Sequence, residues 1–221
     1  MGKLLFGFDP DRSWEYENGY HVTSHPGRLG KVLAHYELYK TILHLPGHVV
    51  ECGVYKAASL IRFATFRHLL ESPWSRKIVA FDAFGAFPPQ PDADDQRFIE
   101  QFEREGGPGM SAADVEAVLN YKSFPNCELV EGDICETVPR YLAEHPAFKI
   151  ALLHIDVDVY RPTAVILGHL YDRIVRGGLV LFDDFGIVSG ETRAIDEFFR
   201  ERDVRIEKLP LAHTPSFVRK E

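Results

Sequence analysis

The sequence is poor in cysteine, with three residues in 221: Cys52, Cys127 and Cys135. An odd number without metal-ligand spacing argues against a disulfide scaffold and a cysteine-bound zinc. It predicts buried thiols in or beside strands, as in a cytoplasmic protein. Positive charge is also in short supply. The chain has 33 acidic against 25 basic residues, a formal net charge of −8, which argues against nucleic acid or an anionic membrane as the main partner. No apolar stretch approaches the roughly 20 residues of a membrane span. The N-terminus carries no signal-peptide pattern, so a cytoplasmic location is expected. There is no internal repeat, no low-complexity tract and no shift of composition to mark a second domain. The 221 residues, 45% hydrophobic and 26% charged, predict one domain over 1–221 with a full core. The three spaced glycines of the dinucleotide fingerprint are missing as well, since the turn after the first predicted strand has Gly53 alone.

What the chain does have is a strand–helix–strand unit over residues 150–184. The apolar run 150–155 reads as a buried strand that opens onto Asp156 and Asp158. Pro162 suits the first turn of a helix, and Ile166, Leu167, Leu170, Tyr171 and Ile174 fall on one face of it. Gly177-Gly178 is expected to end that helix and turn the chain. A second apolar run, 179–182, ends in Asp183-Asp184. Such a unit makes the strands parallel neighbours with a right-handed crossover. Both pairs of carboxylates then arrive at the C-terminal edge of the sheet, where open α/β sheets bind ligands. Four carboxylates there repel one another unless a cation or protons intervene, and all-oxygen ligation suits Mg²⁺. Any one of these acids read alone is equally well a turn former or helix cap.

The rest of the chain supplies a frame for this unit. Residues 1–28 mix aromatics (Phe6, Phe8, Trp14, Tyr16, Tyr20) with turn formers and read as a packed arm or a lid. A core helix is predicted over 29–45, a strand over 49–52, and a helix over 57–70 after Gly53. A strand that turns through glycine into a helix N-terminus is the frame of nucleotide-type cofactor sites, although any βα turn can use a glycine. The strand 77–82 ends in Asp82, in the place of an acid that holds a cofactor ribose. Helices are predicted over 92–105 and 112–121, the second opened by Ser111 and Asp114. Together residues 92–122 form an insertion too long for a plain crossover, expected to cap the sheet edge. A third strand over 127–134 contains Asp133, with a helix following near 138. An amphipathic helix over 189–202 and short strands over 205–210 and 216–220 complete the reading.

Four segments together carry a resemblance: residues 49–60 (VVECGVYKAASL), 81–88 (FDAFGAFP), 154–163 (HIDVDVYRPT) and 177–186 (GGLVLFDDFG). In this order they resemble the macrocin/novobiocin O-methyltransferase family, from about residue 28 to the C-terminus. The resemblance implies a class I S-adenosylmethionine-dependent fold, Rossmann-like α/β, with helices on both faces of a seven-stranded, mostly parallel sheet whose last strand is antiparallel. It also implies Mg²⁺-dependent methylation of a hydroxyl on a small molecule, often a natural-product sugar, and leaves a homo-oligomer open. Carried over by motif, Asp156, Asp183 and Asp184 would be metal ligands. Asp158 would be the general base, with Asp156 a second candidate. Glu51, Gly53, Ser59, Asp82 and Asp133, with the adjoining Cys52, Val54, Tyr55 and Ile134, would line the cofactor. The family commonly has glycine where this chain has Ala57, so a methyl crowding the cofactor's carboxylate end is expected there.

Two other readings compete. Asp156-Val157-Asp158 also resembles the nucleophile motif of haloacid dehalogenase-like phosphatases, which carry it on the first strand of the core. Here three βα units precede it. The other is a non-catalytic cofactor-binding protein, suggested by Ala57.

Overall fold

Five apolar runs form the parallel part of one sheet. In a computed structural model, which describes residues 4–221, these are β1 (His48–Cys52), β2 (Ile78–Asp82), β3 (Cys127–Glu131), β4 (Ile150–Ile155) and β5 (Ile174–Phe182). Residues 1–3 of the expected N-terminal arm lie outside the described range. With β6 (Glu207–Lys208) and β7 (Ser216–Arg219) the sheet has seven strands in the order β3-β2-β1-β4-β5-β7-β6. β7 is antiparallel to β5 and β6, and the other pairings are parallel. The central strand β4 is buried along its whole length. A sheet covered on both faces explains why its sequence is a continuous apolar run rather than an alternating one.

The two faces are packed by different helices. On one lie α6 (Ile134–Glu144), α7 (Tyr160–Leu170) and α8 (Ser189–Phe199), around Phe81, Leu153, Ile155, Phe182 and Ile195. On the other lie α2 (Pro26–Lys40), α3 (Ala58–Leu70) and α5 (Ala112–Tyr121), around Tyr39, Phe63, Leu152 and Leu181. Before α2 runs α1 (Ser13–Thr23), which buries none of its residues. α4 (Ala93–Gly106) and α5 form the insertion where the sequence predicts it. Among the described residues no helix is long and apolar enough to cross a membrane.

Three expectations are corrected. Gly177-Gly178 does not end a helix: α7 stops at Leu170, a 3-10 turn Tyr171–Arg173 follows, and both glycines lie inside β5. The register between β4 and β5 is irregular there, and a Cβ on Gly178 would lie 2.9 Å from the Ala151 carbonyl oxygen. Gly178 therefore allows close strand approach, while Gly177 takes a positive φ of 83°. The third strand ends at Glu131 rather than 134, because Asp133 caps α6, its carboxylate accepting from the Cys135 N–H at 2.8 Å. The cysteines are free as expected, yet only Cys52 is fully buried, while Cys127 and Cys135 are half-buried.

Candidate functional site

The strand order reverses between β1 and β4, so the loops leaving their C-terminal ends diverge and leave a crevice. A cavity of about 370 Å³ opens there. Gly53, Val54, Tyr55, Ser59, Asp82, Asp133 and Ile134 border it on one side, and Asp156, Asp158, Asp183 and Asp184 on the other. Glu51 and Cys52, grouped with the cofactor turn in the sequence, do not border it. Both are fully buried within β1, Cys52 in the core under α6 and α7 and Glu51 beneath the opposite face.

The turn after β1 is held by hydrogen bonds the sequence does not announce. Asp82 accepts from the N–H groups of Val54 (2.6 Å) and Tyr55 (3.1 Å) through one oxygen and from Phe84 N–H (2.5 Å) through the other. Asp82 thus spends most of its accepting capacity inside the protein, keeping one lone-pair direction on Oδ1. Gly53 has φ +91°, and a Cβ there would lie 1.7 Å from the Asp156 carbonyl oxygen. Tyr55 ties the insertion to this turn. Its hydroxyl donates to Gly106 O (2.8 Å), and its carbonyl accepts from Met110 N–H (2.7 Å).

Ala57 sits in the left-handed region (φ 59°, ψ 16°) at the N-cap of α3 and offers no side-chain cap. Its methyl faces the core. Ala57 is 2% exposed, packs in the core of the α2–α3 face and does not border the cavity. Ala57→Gly removes a left-handed strain worth about 1–2 kcal/mol. It also loses a buried methyl of about 0.8 kcal/mol and adds unfolded-state entropy of about 0.4–1 kcal/mol. These nearly cancel, so denaturant melting should place the variant within about 1 kcal/mol of the parent. A larger loss would mean that the methyl makes a contact the core needs.

The carboxylates divide into two groups. Oxygens of Asp156, Asp158 and Asp184 all lie within 4.8 Å of one another. Asp183 instead pairs with the Lys31 ammonium through Oδ2 and lies 3.4 Å from His154 Nε2 through Oδ1. Burial, then the neighbouring Asp183, raises Asp156 well above the ordinary carboxylate range. Burial and Asp184 do the same to Asp158. Asp184 is pushed up to about 6 by burial and by Asp183. Against the upward push of burial, His154 and Lys31 hold Asp183 below its ordinary range. Burial alone would lower Lys31, yet the charges of Asp183, Asp156 and Asp184 raise it. The lysine head group therefore lies in the field of Asp183, Asp156 and Asp184.

Beneath this edge runs a buried polar chain. Ser59 donates to Glu51 Oε1, which lies 3.5 Å from His154 Nδ1. Burial would lower His154, but Asp183 and Glu51 raise it to about 10. His35, stacked on Phe63 and edge-on to His154, is held well below its usual range by burial and by that neighbour. From α8, fully buried Glu191 accepts from Asp184 N–H (3.1 Å), while its own N–H donates to Asp158 O (3.0 Å). Sequence reasoning passed over Lys31, His35, His154 and Glu191. His154 had a signal, a polar residue within an apolar strand, which requires a buried partner. Lys31 and Glu191 had none.

The macrocin-O-methyltransferase (TylF) family model matches residues 34–220. The 8-demethyl-8-(2,3-dimethoxy-alpha-L-rhamnosyl)-tetracenomycin-C 4'-O-methyltransferase of Streptomyces olivaceus is 26% identical over 148 residues, 65% of this chain and 54% of its own length. The match thus spans about half of that relative. The calicheamicin methyltransferase CalS11 superposes with a TM-score of 0.74 at 28% identity, over 97% of this chain and 88% of its own. Its apo form, described as TDP-rhamnose 3'-O-methyltransferase, gives 0.69 at 28% identity, over 96% and 87%. The O-methyltransferase NovP gives 0.74 at 20% identity, over 86% and 79%, a likeness of fold.

Proposed function

The chain belongs to the macrocin-O-methyltransferase family, and from that premise we propose that it transfers a methyl group from S-adenosylmethionine to a hydroxyl of a sugar, free or on a glycosylated natural product. The observation that carries the reading is one cavity bordered both by the turn Gly53–Ser59 and by Asp156, Asp158, Asp183 and Asp184. The sugar is supported by the rhamnosyl compound named for the Streptomyces olivaceus relative and the TDP-rhamnose named for CalS11. A cytoplasmic place fits the free thiols of Cys52, Cys127 and Cys135. In the same reading 1–221 is one domain, 1–28 its arm, and 92–122 the cap that Tyr55 fastens to the cofactor turn.

The residues present fit the cofactor. No side chain caps α3, so the backbone donors at Ala58 and Ser59, which border the cavity, remain for a carboxylate. Asp82 Oδ1 keeps one direction for a ribose hydroxyl, and Ile134 gives an apolar wall. A sugar hydroxyl is a poor nucleophile because its proton is tightly held, so a carboxylate within reach must take that proton as the oxygen attacks. Asp158 is assigned this role, with Asp156 as the alternative. No acid is needed at the sulfur, whose positive charge disappears on transfer. The remaining tasks are to align oxygen, methyl and sulfur and to exclude water.

The donor set also fits a hard divalent ion, because carboxylates converge where the protein's own ammonium already answers their charge. Asp156 and Asp184, which converge with Asp158, would hold Mg²⁺ together with Asp183, and the bound ion would supply positive charge that makes the hydroxyl easier to deprotonate. For that, Lys31 must leave Asp183. The Lys31–Asp183 pair favours a second reading, in which Lys31 remains as the cation of the site and no metal is required. Thermal melting and calorimetry with S-adenosylhomocysteine, with and without Mg²⁺, test both. At one hundred times its dissociation constant the ligand should stabilise the fold by about 2.7 kcal/mol, and no shift at millimolar ligand would sink the methyltransferase reading. Turnover that survives EDTA would select Lys31 over Mg²⁺. Binding without turnover of any hydroxyl acceptor would favour the non-catalytic alternative.

A further inference from the structure

Resting on that reading, we propose that the acceptor sugar arrives as a nucleoside diphosphate sugar, whose diphosphate is held by Arg28 and Arg62. Four cations border the cavity: Arg28, Lys31, Lys56 and Arg62. Two of them have internal partners. Lys31 pairs with Asp183, and Lys56 Nζ donates to Gly106 O at 2.6 Å. The guanidinium groups of Arg28 and Arg62 have no hydrogen-bond or ion-pair partner among the described residues. Arg28 lies in the first turn of α2, three residues before Lys31, and Arg62 one turn into α3 from Ala58. α2 and α3 pack side by side, and His35 between them feels the charge of both Lys31 and Arg62.

The two unpartnered guanidinium groups point to an anionic acceptor. The cofactor brings one carboxylate, which the uncapped start of α3 answers, while its ammonium and sulfonium are positive and call for no guanidinium. Two guanidinium groups exceed that need. Six aspartates border the same cavity, Asp82, Asp133, Asp156, Asp158, Asp183 and Asp184, yet neither arginine folds onto one of them. A neutral glycoside leaves both arginines without a partner, whereas a diphosphate presents oxygen pairs that match the planar donor fork of arginine. Phe87 and, from the insertion, Phe102 border the cavity edge to face at 5.9 Å, apolar surface suited to a nucleobase. A nucleotide would use that surface and a simple sugar phosphate would not, which the comparison of dTDP with pyrophosphate tests. Methylation then precedes glycosyl transfer, and the product is consumed by a glycosyltransferase-class reaction.

The test uses the full chain saturated with S-adenosylhomocysteine, with dTDP, pyrophosphate and methyl α-L-rhamnoside as calorimetric probes. Turnover is compared for dTDP-L-rhamnose and the methyl rhamnoside. dTDP is expected to bind more tightly than pyrophosphate. Arg28→Gln and Arg62→Gln should each weaken dTDP at least tenfold and lower the selectivity for the nucleotide sugar by about 10- to 100-fold. Both side chains are at least partly exposed, so the variants should melt within a few degrees of the parent. If either does not fold, the dTDP and turnover comparisons on the parent still decide. The proposal is overturned if S-adenosylhomocysteine binds while millimolar dTDP does not. Equal or better turnover of the neutral glycoside, or folded variants with unchanged dTDP affinity, would overturn it too. Failure of S-adenosylhomocysteine itself to bind is a different result, which removes the methyltransferase reading and this acceptor with it.

Discussion

Asp158→Asn is expected to lower turnover of a hydroxyl acceptor by about 10²- to 10⁴-fold, the usual worth of a positioned base, while S-adenosylhomocysteine affinity stays within about twofold. The backbone explains why the fold should survive. Asp158 has φ +62° and is the centre of a tight turn closed by Val159 N–H to Val157 O at 2.6 Å. Asparagine accepts left-handed backbone nearly as well as aspartate, and the Asp158 carbonyl still receives the Glu191 N–H. The side chain keeps its shape and loses only its basicity. Because Asp158 lies with Asp156 and Asp184 rather than apart from them, a Mg²⁺ titration must accompany the rate. The lost rate should not return at high Mg²⁺. Full rescue would make Asp158 a ligand, and the base would then be Asp156. Asp183→Asn should behave differently, since it removes one of the carboxylates that face Lys31 and His154 and so disturbs the site even without a metal.

The parts of this architecture that announced themselves in the sequence are those where one local rule has one structural outcome. β1, β2 and β4 are buried on both faces, and an apolar run bounded by an acid or a glycine reads directly as such a strand. Asp156, Asp158, Asp183 and Asp184 were placed at one edge because a right-handed crossover between parallel strands allows little else. The misreadings arose where tertiary contact decides. Ile174 fits the helical period of α7, but it pairs with Ile150 in the sheet. Gly177-Gly178 has the composition of a helix stop, yet Gly178 lets β5 approach β4. Lys31 could not be recognised beside Asp183 because the two lie 152 residues apart and nothing in α2 marks which lysine faces inward. The separation of Asp183 from the other three acids follows from that lysine and from His154. Sequence spacing carries no information about either.

Gly53→Ala is expected to abolish detectable S-adenosylhomocysteine binding and to cost about 3 kcal/mol of stability. Ala57→Gly, four residues on, should by contrast be nearly silent. At Gly53 a side chain would require a positive φ worth about 1–2 kcal/mol, and its Cβ would lie 1.7 Å from the Asp156 carbonyl oxygen. That neighbour is backbone and has no rotamer to change, so relief requires the end of β1 or of β4 to shift, a strain of about 1–3 kcal/mol. The shift cannot stay local. Gly53 N–H donates to Phe81 O and Asp156 N–H to Cys52 O, each at 2.9 Å, while Asp82 grips the two residues that follow Gly53. Moving Gly53 therefore moves the cofactor turn and the Asp156 carboxylate together. Urea unfolding and calorimetry on the same preparation measure the two effects. A stability loss below about 1 kcal/mol with affinity retained within threefold would show that the close approach of Gly53 to Asp156 is not what sets this turn.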